Sequence, residues 1–68
     1  MKVKLIFPEN LVTEPIIWQL GKSFDIVYNI QSANVTADSG WVILELSGRD
    51  TEKGLGWLRE KGIEVQKL

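Results

Sequence analysis

The chain has 68 residues, a quarter of them charged, with a net charge of −1 and neither histidine nor cysteine. Such a length makes one domain, which buries only about 60% of the surface its unfolded form exposes, so self-association or docking on a larger protein is the expected supplement to the core. Disulfides and the usual zinc and iron–sulfur ligand sets are excluded, no cofactor is expected, and the slight acidity argues against general nucleic-acid binding.

Residues 2–7 alternate, with Val3, Leu5 and Phe7 on one side and Lys2 and Lys4 on the other, which predicts a half-buried strand. Pro8-Glu9-Asn10 ends it, because proline cannot donate to a ladder. A helix follows, with Thr13 as its expected N-cap, Glu14 at the positive end of the dipole and Pro15 in the first turn. Val12, Ile16, Leu20 and Phe24 recur every four residues beside Ile17, a stripe that should face a sheet. Gly21 places the helix end near Lys22 or Ser23.

Residues 25–36 read as a second strand with Ile26, Tyr28 and Ile30 toward the core and Val27, Asn29 and Gln31 away from it. A bulge near Ser32 or Ala33 is expected to switch the phase before Val35. Ala37-Asp38-Ser39-Gly40 is a turn by composition, and Trp41–Ser47 is the third strand, with Val42, Leu44 and Leu46 inward. A short turn between two alternating runs makes an antiparallel hairpin. Asp50 should cap a second helix, Leu55 and Leu58 should face inward, Gly62 should end it, and Ile63–Gln66 completes the chain as a strand. Gly54 and Gly56 lie inside that helix, where a close approach to the sheet or an exposed face accounts for them.

Strand, helix, strand, strand, helix, strand is the split βαβ arrangement: an α+β, ferredoxin-like βαββαβ fold, a four-stranded antiparallel sheet with two helices on one face, over residues 1–68. The helix-free face is where function is sought. Ile6, Val27, Trp41 and Ile43 put more apolar surface there than a solvated sheet carries, so they are the candidate interface, for a homodimer or a ligand; the alternative places them at strand ends under loops. Asn29 offers a donor and an acceptor to an amino-acid ligand, or to its own sheet.

No catalytic residue emerges. A general base would have to be a carboxylate, a lysine or a tyrosine, and the acids scatter along turns and outer helix faces. No phosphate-binding or nucleophile motif occurs, and the chain is read as a non-enzyme. No apolar run approaches the roughly 18 residues of a membrane span. The apolar start is too short for a signal peptide, and a cytoplasmic location is expected.

Several stretches together resemble the NIL domain, named for an Asn-Ile-Leu tripeptide in its second strand. They are Phe7-Pro8, Glu14-Pro15-Ile16-Ile17, Tyr28-Asn29-Ile30, the run from Gly40 to Gly48, and the run from Trp57 to Val65. The resemblance implies an ACT-like regulatory domain. One family setting is the C-terminal end of the ATPase of methionine ABC importers, where the domain dimerises and binds methionine. The other precedes iron–sulfur ferredoxin modules linked to sulfur-amino-acid metabolism. Met1 directly ahead of the first strand and Gly40-Trp41 favour the second setting. The resemblance carries a ligand site onto Asn29, Ile30 and Gln31, where Gln31 replaces the family's leucine with a polar amide. The function expected is a regulatory domain sensing a methionine-like amino acid at a dimer interface. The alternative is a ligand-free docking or assembly domain for an ABC transporter ATPase or a ferredoxin module.

Overall fold

The computed structural model describes all 68 residues. Strand β1 is Lys2–Phe7, helix α1 Ile16–Ser23, β2 Val27–Val35, β3 Gly40–Ser47, α2 Thr51–Glu60 and β4 Glu64–Lys67. The strands lie in the order β2-β3-β1-β4, and every neighbouring pair is antiparallel. This is the ferredoxin-like fold, with β2 and β4 as the two edges.

Alternation in the central strands becomes the core. Val3 sits opposite Leu44, and Leu5 opposite Val42. These four meet Leu46, Ile16 and Leu20 of α1, and Leu55 and Leu58 of α2 in one apolar cluster. Fully burying each such side chain contributes about 1.5–3 kcal/mol.

Helix α1 starts later than its sequence suggests. Glu9–Leu11 forms a 3-10 turn that buries Leu11, and Pro15, not Thr13, holds the cap position, without a side-chain cap. A helix capped by Thr13 would place Glu14 in α conformation directly before a proline, where the ring's Cδ crowds it. The predicted cap of α2 is also displaced in role. Asp50 occupies the cap position, but its Oδ2 accepts the Asp25 N–H at 2.8 Å. With Arg49 Nε donating to Asp25 Oδ2 at 2.6 Å, this ties the entry of β2 to the entry of α2. Gly48, at φ +125°, permits the join, since a side chain there would run into the Asp25 carbonyl.

Gly54 accounts for itself by close approach: a Cβ there would collide with Ile26 Cδ1 and lie 3.0 Å from Leu20 Cδ1. Gly56 faces open space. Trp57 is half-buried and meets Phe24 edge-on, ring centroids 5.8 Å apart.

Candidate functional site

Three regions bear on function: the β2 edge, the helix-free face and the hollows beside α1. All nine residues of β2 are exposed. The bulge falls at Gln31, between Ile30 and Ser32, slightly earlier than expected. By register, Tyr28, Ile30, Ala33 and Val35 lie on the helix side, opposite Leu46, Leu44, Val42 and Gly40, and Val27, Asn29, Ser32 and Asn34 on the other. Tyr28 and Ile30 therefore point to the helix side as predicted, but they are not core. Ile30 is 52% exposed and Val35 58%, because the helix layer stops short of the edge strand.

Asn29 sits opposite Glu45 on the helix-free face, and its amide makes no hydrogen bond within the chain. Gln31 occupies the bulge, and Ile30 faces the other side. The three residues of the suggested ligand site thus share a strand but not a face. Of the suggested interface residues, Ile6 pairs directly with Trp41, and Lys4 with Ile43. Ile6, Trp41 and Ile43 are half-buried, with the Lys4 ammonium 5.0 Å from the Trp41 ring, while Val27 stands 68% exposed at the start of β2.

The concave surfaces lie elsewhere. A cavity of about 190 Å³ opens at the start of α1, walled by Phe7, Val12, Ile17, Trp18, Val35 and Val42. Its one charged lining residue is Glu14. For scale, an apolar cavity of about 150 Å³ holds benzene. On the other side of Trp18 a wider hollow of about 440 Å³ is lined by Gly21, Lys22, Ile26, Val27 and Tyr28, with Lys22 its one charged group. Helix α1 thus runs antiparallel beside β2, its start near Val35 and its end near Tyr28. Trp18 is 57% exposed between the two hollows, with the Lys22 ammonium 4.6 Å from its ring. The cavity draws its wall from β1, α1, β2 and β3, so no local pattern announced it. The four-residue spacing of Trp18 and Lys22 within α1 was the one visible signal.

No helix is long and apolar enough to cross a membrane. The fold resembles the C-terminal domain of an ABC transporter ATP-binding protein from Enterococcus faecalis, with a TM-score of 0.79 at 20% identity, over 96% of this chain and 79% of that one. A curated relative, the methionine import ATP-binding protein MetN of Helicobacter hepaticus, is 31% identical over 71 residues, covering 96% of this chain. The chain corresponds to only 20% of that relative's length. The family model of the NIL domain matches residues 1–67, and the chain belongs to the NIL domain family.

Proposed function

We propose that this NIL domain is a regulatory module that pairs with a second copy along β2 and senses a methionine-like amino acid, acting by binding and not by catalysis. The observation that carries the pairing is the character of β2. An edge strand of nine exposed residues, with no charge and no proline, presents a free hydrogen-bonding rim flanked by apolar side chains. Such an edge is completed by strand addition.

The bulge restricts how two copies can meet. In an antiparallel pair, directly opposite residues share a face. Because the phase changes at Gln31, pairing along the whole strand keeps faces matched only when the two-fold axis lies just before or just after that residue. Tyr28 lies opposite Ala33 or Val35 of the partner subunit, and Asn29 opposite the partner's Ser32 or Asn34. On this reading Asn29 clasps the seam, and the helix-free patch of Ile6, Trp41 and Ile43 is a secondary surface.

An amino-acid effector is supported by the family and by the name of the relative, a methionine import ATP-binding protein. The apolar cavity supports a thioether or aliphatic side chain. It has one carboxylate in its wall and no second titratable group beside it, which suits recognition better than proton transfer. In the longer protein the domain would report amino-acid supply to an ATP-binding transport subunit, on the cytoplasmic side.

Sedimentation velocity across a concentration series, followed by calorimetry with L-methionine, tests the proposal. A dimer that releases or takes up heat at micromolar to millimolar methionine is expected. A dimer silent toward methionine would leave only the docking and assembly role, and a monomer at high concentration would remove the pairing.

A further inference from the structure

The sheet beneath the cavity at the start of α1 lacks a side chain at Gly40. This residue lies opposite Phe7 of β1 and opposite Val35 of β2. Directly opposite residues share a face, so Phe7, Gly40 and Val35 make one row across the helix side of the sheet. All three line the cavity. The row therefore has a gap at its centre, between two large apolar neighbours.

Nothing local calls for glycine there. The left-handed backbone region is occupied only by Gly48 and Gly62. The hairpin turn is closed by Thr36, whose N–H donates to the Ser39 carbonyl at 2.8 Å and whose Oγ1 accepts the Asp38 and Ser39 N–H groups. No neighbour crowds the position. A Cβ at Gly40 would lie 3.4 Å from Val35 Cγ2 and 3.5 Å from Val12 Cγ1, which are ordinary contacts, whereas at Gly54 it would collide with Ile26. A glycine weakens a strand, and one with room for a side chain marks a place where something else comes close.

We infer that Gly40 is the size-determining residue of this cavity: the space left by its missing side chain admits the apolar group of a small ligand within a single copy of the domain. Phe7 and Val35 stand two strand spacings apart, about 10 Å, which leaves the width of one side chain between them. The group that enters is therefore slim, an unbranched chain or a flat ring. The cavity, at about 190 Å³, exceeds the roughly 150 Å³ that holds benzene. The inference deepens the sensing proposal above by assigning the length preference of the effector's side chain, and it does not depend on pairing.

Gly40→Ala and Gly40→Val test it in two titrations. Benzene, followed by thermal unfolding, probes the cavity alone. It should raise the Tm of the unmodified chain, raise that of Gly40→Ala less, and leave that of Gly40→Val unchanged. Calorimetry with L-2-aminobutyrate, L-norvaline and L-norleucine probes chain length. The unmodified chain should gain about fourfold in affinity per added methylene. In Gly40→Val that gain should vanish, while L-2-aminobutyrate binds within about twofold of its original affinity. Should Gly40→Val not fold, Gly40→Ala decides by the same readings, with part of the gain lost. A Tm of the unmodified chain that ignores benzene, an equal benzene response in chain and variants, or an equal loss for all three amino acids overturns the role of Gly40. A chain that responds to benzene, with the response lost in Gly40→Val, but to none of the amino acids overturns the sensing proposal and leaves the role of Gly40 supported.

Discussion

The two edges of the sheet are built on opposite lines. Strand β4 is four residues long, carries Glu64 and Lys67, and follows the buried Ile63. Its Lys67 reaches Glu52 of α2 at 3.3 Å, and Gln66 Nε2 donates to Glu64 Oε2 at 2.6 Å. Short, charged and tied back to a helix, it resists addition of another strand. Strand β2 is nine residues long and uncharged, and its helix-side residues Tyr28, Ile30 and Val35 lie beyond the helix layer. The bulge at Gln31 is its one protective device, and on the proposed pairing it also limits the registers open to a second copy. One edge is tied back to its own chain, and the other is left exposed along its whole length.

The sharpest way to break this comparison is to protect β2 as β4 is protected. Ile30→Lys places a charge in the middle of the helix-side seam. Because Ile30 is 52% exposed, the fold should lose no more than about 0.5 kcal/mol. Association should weaken at least about 100-fold, some 2.7 kcal/mol, read by sedimentation equilibrium. A smaller effect is expected where the helix layer is tightly closed. Gly54→Leu forces α2 away from Ile26 and Leu20 and should cost about 1–3 kcal/mol in urea unfolding, with the β2 rim itself untouched. The smallest effect belongs to the protected edge. Lys67→Ala removes an exposed ion pair and should change stability by less than about 1 kcal/mol, with no change in association.

The same contrast explains what the sequence made legible. Alternation in Val3-Leu5-Phe7 and Val42-Leu44-Leu46 identified the core strands, because in the middle of the sheet the helix-side face and the buried face coincide. In Tyr28 and Ile30 the same alternation named the correct side but not its coverage. Coverage depends on how far the helix layer reaches laterally over the sheet, which the alternation of β2 itself does not encode. The family tripeptide drew attention to Asn29, Ile30 and Gln31, yet the bulge and the pleat send them in different directions. The cavity was not readable, since Phe7, Ile17, Val35 and Val42 are distant in the chain and meet only in the fold.

The most direct test of the central claim is amide hydrogen exchange of β2 and β4 in the unmodified chain at low and high protein concentration. Pairing through β2 predicts that the outward amides around Ile30, Gln31 and Ser32 become protected as concentration rises, while those of Glu64–Lys67 exchange as before. Outward β2 amides that stay as fast as those of β4 at every concentration would contradict it.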